Sequence, residues 1–341
     1  MPSLFLDTGS FKILQVTSSA LLSGSFDIVA TTVITGSLMQ GYQNIISGLY
    51  CHAEGYTTTA SGDYSHAEGL STWAKGLASH AEGYLAIASG SYSHAEGLST
   101  VAIGEGSHAE GSSTVSRAPW SHAEGDSTQA IGTGSHAEGA STISSGSYSH
   151  AEGISTIAIG QYSHAEGDAS VSRGIGSHAE GRQTNANGAY SHTEGWQATA
   201  TGEGSHAEGR QTQAIGPYSH AEGYLSIARG TGSHAEGYNT QANGDYSHAM
   251  GYATVASGSG QVVVGAYNLI RSSSNDVFVI GGGTSTTAAN IAIFTITGSN
   301  GGGVPVFPGL GNFANDAAAG AGGVPVGGLY RNGSVLYIRV S

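Results

Sequence analysis

The sequence predicts an all-β fold: a β-solenoid of about seventeen fourteen-residue coils, with small β-rich regions at both ends. Three observations predict it. All fifteen histidines lie on one arithmetic series, His52, His66, His80 and every fourteenth residue to His248, without insertion or deletion. Within each unit small residues alternate with variable ones, the period-two pattern of strands. Glycine recurs in every half-unit, where it would destabilise a helix by roughly 1 kcal/mol each time, and no apolar heptad seam compensates.

Taken in chain order, residues 1–36 have β character outside the repeat. "FKILQV" and "FDIVATTVI" are candidate strands of a cap or attachment segment, since an open solenoid end is an unpaired edge. Residues 37–271 carry the repeat. The residue before His is Ser, except Cys51 in the first unit, and the residue after it is Ala, except Thr193. Glu follows, except Met250, and then Gly without exception from Gly55 to Gly251. Six places after His the column is mostly Thr, as in Thr58 and Thr72; eight places after, it is Ala or Ser; ten places after, it is Gly except Ala118. The columns between them are permissive, as Trp73, Ile87, Gln129, Asn185 and Val255 show.

Each unit therefore reads as two short strands joined by Gly-containing turns, with Gly at the corners that need positive φ or close approach. The uniformly small columns, Ser, Ala and Thr, are expected to fill the coil, which sends His and Glu outward. Strict spacing implies that each unit stacks directly on the last. "SLMQG" at 37–41 leads into the series in frame, and "QVVVG" at 261–265 follows it with Val262 and Val264 in the His and Glu columns. Residues 272–341 form a Gly-rich C-terminal β module, a candidate tip. "DVFVI" and "NIAIFTIT" read as strands, "GGGVPVFPGLGNFANDAAAGAGG" as loop, and Asn332-Gly333 as a hairpin turn.

Composition narrows the function. Only 10 % of residues are charged, and the formal net charge is −14 with ten Lys and Arg, which argues against a nucleic-acid surface. One cysteine, Cys51, rules out an intrachain disulfide framework and a thiolate zinc site. The N-terminus shows no signal-peptide pattern, and no stretch has the length of a membrane span, so synthesis in the cytoplasm and no membrane insertion are expected.

The repeat resembles the head repeats of trimeric autotransporter adhesins, whose fourteen-residue coils carry a Ser-Val-Ala-Ile-Gly strand, here best matched by Val262-Val263-Val264-Gly265. Its His-Ala-Glu version is similar to the SHAEG repeats of bacteriophage tail fibres and appendages. The resemblance implies a left-handed parallel β-roll assembled as a homotrimer, in which the Val/Ile column packs between subunits. Carried over by position, the interface ladder would be His52 and Glu54, His66 and Glu68, His80 and Glu82, His94 and Glu96, His108 and Glu110, His122 and Glu124, His136 and Glu138, His150 and Glu152, His164 and Glu166, His178 and Glu180, His192 and Glu194, His206 and Glu208, His220 and Glu222, His234 and Glu236, then His248, Val262 and Val264. An ionisable pair thus replaces the adhesins' apolar one. Their coiled-coil stalk, outer-membrane barrel and secretion signal have no counterpart here, which weighs for a virion fibre, with a cell-surface adhesin or extracellular filament subunit as the alternative. The partners implied are the chain itself, other virion or fibre components, and a cell-surface glycan or protein receptor.

Stacked carboxylates about 4.8 Å apart would repel by roughly 3 kcal/mol per adjacent pair at an effective dielectric of 20, so the histidines are expected to compensate them across chains, with His pKa values raised by Glu. No cofactor is expected. A less favoured reading gives His66, Glu68, His80, Glu82, His94 and Glu96 to zinc, iron or another ion on the trimer axis. A Ser-His-Glu triad fails because Ser65 and His66 point to opposite faces of one strand. The Thr column resembles an ice-binding array but shares the inward face with Ala, where a hydroxyl ladder satisfying buried polar groups is expected. Trp73, Trp120, Trp196, Tyr64, Tyr92, Tyr148 and Tyr190 fall on turns or outward columns, where they cover coil edges or stack on sugars. Arg117, Arg173 and Arg229 read as solubilising charges.

Overall fold

The computed structural model describes residues 37–270, 275–297, 302–306, 310–332 and 335–340. The two candidate strands of residues 1–36 lie outside the described residues. The chain divides into two compact units, Met1–Glu110 and Gly111–Ser341, and the same coil builds both.

One coil serves for all. The strand His66–Leu70 turns at Ser71, a second strand covers Trp73–Ala74, and the chain returns past Gly76 and Ala78 to Ser79. The next coil lies on it in parallel register, with His66 opposite His80, Ala67 opposite Ala81 and Glu68 opposite Glu82. The same register appears in the second unit, where His192 faces His206 and Glu194 faces Glu208. Hydrogen bonds join successive coils at both strands: His66 N donates to Ser79 O at 2.9 Å and Trp73 N to Ala86 O at 2.8 Å. In each unit the first strands form one parallel sheet and the second strands another.

The inward set is as expected. Ala67, Thr72, Ala74 and Ser79 are buried, and so are their counterparts in the other histidine-bearing coils. Small side chains fill the space between the two sheets, and the glycine corners stack tightly on those of the next coil. Gly69 has φ +107°, and a Cβ there would sit 2.2 Å from Gly83 O; a Cβ on Gly62 would sit 1.9 Å from Gly76 O. Positive φ is not left to glycine alone, however. Tyr64 (φ 59°) and Ser71 (φ 56°) occupy the left-handed region, as do their counterparts in coil after coil. Such a conformation costs an L residue about 1–2 kcal/mol. It is held because it turns the amide onto the preceding coil, with Tyr64 N donating to Leu49 O at 2.8 Å and Ser71 N to Tyr56 O at 2.9 Å.

The ladder runs past the histidines at both ends. Leu38 pairs with His52, and Val262 and Val264 pair with His248 and Met250. Strand Asp276–Gly282 continues in parallel, Phe278 opposite Val262 and Ile280 opposite Val264, before Asn290–Thr297 and Gly302–Val306 add antiparallel strands. The segment read as loop thus contains a strand. It also contains a short helix, Asp316–Ala321, whose first turn is capped by the Asn315 side chain accepting from Ala318 N. Leu329–Asn332 and Val335–Ile338 form the expected antiparallel hairpin.

Candidate functional site

The first strand of every coil presents His and Glu on its outward side, because the Ala between them points inward. The imidazoles stack ring on ring: His80 and His94 have centroids 4.7 Å apart at 4°, and His150 and His164 are 4.8 Å apart at 1°. The rings are about one-third exposed, and the glutamates beside them are similar.

Each column pairs with the other, but the partner changes along the chain. In the first unit His pairs within its own strand: His52 Nε2 lies 3.4 Å from Glu54 and His66 Nε2 3.5 Å from Glu68. From His136 to His192 it pairs with the preceding coil, as His136 does with Glu124 at 3.1 Å and His164 with Glu152 at 3.1 Å. His220 then stands between Glu208 and Glu222, 3.9 Å from each. His248, whose own coil carries Met250, reaches back to Glu236 at 3.4 Å. The expected compensation is therefore already present within one chain, and it is incomplete. Many Nε2 atoms, including those of His66, His80, His206 and His234, are buried without a hydrogen-bond partner.

The direction of the histidine pKa values corrects the sequence expectation. Burial, followed by the stacked neighbouring imidazole, holds His66, His80, His150 and His206 below the ordinary value, against the pull of the glutamates. The columns are built of like groups closer than the Glu partners can offset. From Glu138 to Glu180 the direction alternates. Burial and the hydrogen bond with Glu138 raise Glu152, whereas hydrogen bonds with Glu152 and Glu124 lower Glu138 against the effect of burial. Hydrogen bonding to Glu194, then burial, pushes Glu180 up to about 7. An open groove of 470 Å³ follows this column, lined by Glu166, Glu180, Glu194 and the glycines after them.

Ligand atoms of His94, Glu96 and His108, and of His164, Glu166 and His178, lie within 4.8 Å of one another. Each such group offers two imidazole nitrogens and one carboxylate oxygen, the donor types that zinc and iron take. The Ser-His-Glu triad fails on geometry: Ser79 Oγ donates to Gly76 O at 2.8 Å inside the coil, away from His80. The hydroxyl ladder is only partial. Thr184 and Thr240 donate to Ser170 and Ser226 at 3.0 and 2.9 Å, but Thr58, Thr72 and Thr100 are buried without a partner.

Several exposed aromatics rest one face on their own chain. Tyr148 lies over Gly134 of the preceding coil, so close that a Cβ there would be 2.8 Å from its ring, and Tyr190 covers Gly176 in the same way. Tyr50 stacks on Tyr64 at 5.4 Å. Arg210 covers one ring of Trp196 at 4.1 Å and Lys75 caps Trp73 at 4.3 Å. These contacts protect the coil edges, while Tyr148, Tyr190 and Trp120 remain largely exposed.

Sequence reasoning missed the second outward face. Its columns lie five, seven and nine places after each His, and from Gln43 to Ser257 they contain no Asp or Glu. Their only charges are Lys75, Arg117, Arg173 and Arg229, all exposed and all in the ninth column. In the first unit this face carries an apolar groove of 580 Å³ lined by Ile45, Trp73, Leu85 and Ile87 with Gln43, Thr57, Thr59 and Ser71. Between Arg173 and Asn243 it becomes rich in amides. The signal was available in the permissive columns, whose variety concealed a uniform absence of acid.

With both faces described, comparison with known proteins adds one match. Residues 81–107, 95–115 and 151–172 match the YadA head domain repeat. The matched segments are adhesin-like repeats, in agreement with the parallel coils. No curated protein sequence matches the chain. No helix among the described residues is long and apolar enough to cross a membrane.

Proposed function

We propose that this protein is a non-enzymatic subunit of a homotrimeric fibre that holds binding surfaces away from a particle or cell. One observation carries the reading. The His/Glu face repeats unchanged through coil after coil, with its rings and carboxylates about one-third exposed. A second and third copy in register would cover that surface with the same axial step, and the adhesin-like repeats support the same arrangement. Function would follow from stiffness and from repeated display, since several weak contacts made together can exceed a single one by about 100-fold or more.

The fibre of a virus or phage is the first reading, because the SHAEG form of the repeat is similar to phage fibre repeats. A cell-surface adhesin is the second, favoured by the match to adhesin head repeats. Mass spectrometry of purified virions and of purified cell envelopes separates them. Peptides of this chain in virions support the first, and peptides in envelopes support the second. Recovery from the soluble cytosol alone would overturn both.

A further inference from the structure

We infer that the acid-free face between Arg173 and Asn243 is a binding surface for an acidic linear glycan lying along the solenoid. The inference rests on the surface-attachment reading above and names its ligand class and its site.

The first observation is charge. The chain has 24 Asp and Glu, yet this face has none, and its two charges in this stretch are the guanidinium groups of Arg173 and Arg229. They are 229 − 173 = 56 residues apart, four coils, or about 19 Å at the spacing of β-strands. Neither is neutralised by an acid on its own face. Each is instead held by amide oxygens. Arg173 Nη1 donates to Asn187 at 2.8 Å and Asn185 at 3.3 Å, and Arg229 Nη1 donates to Asn243 at 2.8 Å and Gln241 at 3.1 Å. The same construction four coils apart fixes one edge of each guanidinium and leaves its remaining donors for a carboxylate.

The second observation is the neighbouring column. Gln211 Nε2 donates to Gln197 at 3.1 Å, and Gln197 Nε2 donates to Gln183 at 3.0 Å, so two exposed amides and the half-buried Gln211 form one axial chain. Each keeps a second N–H and a second lone pair for an external group. That donor-and-acceptor pattern suits hydroxyls, and it repeats at about 4.8 Å, close to the length of one pyranose unit in an extended chain. Recognition would be by hydrogen bonds rather than by stacking, since this stretch of the face carries no aromatic residue. Two guanidiniums separated by amides are too sparse for a phosphate backbone, which calls for a dense basic stripe.

The test uses the full chain with polygalacturonate as the acidic probe, dextran as its uncharged control and duplex DNA as a different polyanion. Binding is measured by interferometry and subunit mass by light scattering in the same samples. Polygalacturonate is expected to bind, to weaken as salt rises from about 0.05 to about 0.5 M, and to bind at least tenfold more weakly to the double variant Arg173→Gln/Arg229→Gln. Gln197→Ala, which interrupts the amide chain, should weaken binding by a smaller factor with its mass unchanged. Equal binding of dextran or DNA, no binding of polygalacturonate, or a double variant that binds like the parent would overturn the inference. A trimer that binds no glycan sinks this site and leaves the fibre reading intact; a monomer that binds glycan does the reverse.

Discussion

The two outward faces of each coil contrast with each other. On the first, His stands at fifteen successive positions and Glu at fourteen, with Met250 the one exception before the valines. On the second, a single column passes through Trp73, Ile87, Gln129, Asn185 and Val255. Stacking alone does not explain the difference, because both strands pair in the same parallel register. A face that repeats unchanged suits a partner with the same axial step, and another copy of the chain in register is the simplest one. A face that changes from coil to coil suits something that does not share the repeat.

The strongest way to break the comparison is to break the corner that joins the faces. Gly167 has φ +98°, and a Cβ there would sit 2.1 Å from Gly181 O of the next coil, with only backbone against it. Gly167→Ala should therefore cost on the order of 4 kcal/mol or more, read as loss of the cooperative melt or as a steep fall in Tm.

A charge reversal sharpens the contrast. Glu194→Lys with Glu208→Lys places two ammonium groups beside the stacked imidazoles and should destabilise the assembly by about 1–3 kcal/mol. The same change at Gln213 on the second face should stay within about 0.5 kcal/mol. Equal losses at the two faces, by differential scanning calorimetry, would erase the distinction drawn here.

Acid should act through the first face only. The folded values of His66, His80, His150 and His206 lie below 6.5, so the unfolded chain takes up protons first as the pH falls. Stability carried by these groups is complete above pH 6.5 and is lost as the pH falls through their lowered values. Glu180, raised from 4.5 to about 7, works the other way: its share is present below pH 4.5 and lost as the pH rises through about 7. The lowered histidines outnumber the raised glutamates, so Tm should climb between about pH 5 and about pH 7.5. A fall over that interval, or a value that stays flat, would contradict the account.

The smallest effect lies inside the coil. Thr72 is fully buried and its hydroxyl has no partner. Thr72→Val keeps the shape and removes an unsatisfied group, so it should be neutral or stabilising by up to about 1 kcal/mol, measured by thermal melting.

Much of this was legible in the residues, for a physical reason. A coil repeated without insertion has to use the same small columns at each turn, so Ala67, Thr72 and Ala74 announced the interior and His66 and Glu68 the exterior. Whether His66 pairs with Glu68 or His136 with Glu124 was not legible, since both distances follow from rotamers that the same letters permit. The direction of the histidine pKa values was misjudged because the pattern shows which groups share a column but not that the rings stack at 4.7 Å. Tyr64 and Ser71 were missed as left-handed corners, although the exchange of Tyr with Gly two places before His, as at Gly134 and Tyr148, was a readable sign. The helix Asp316–Ala321 was hidden in a glycine-rich stretch where six residues leave too little periodicity to detect.

The most direct test is the mass of the intact protein in solution. If imidazole and carboxylate columns meet those of sister chains, light scattering at neutral pH will give three times the 34.2 kDa of one chain. A particle of 34.2 kDa would leave those columns facing water and contradict the claim.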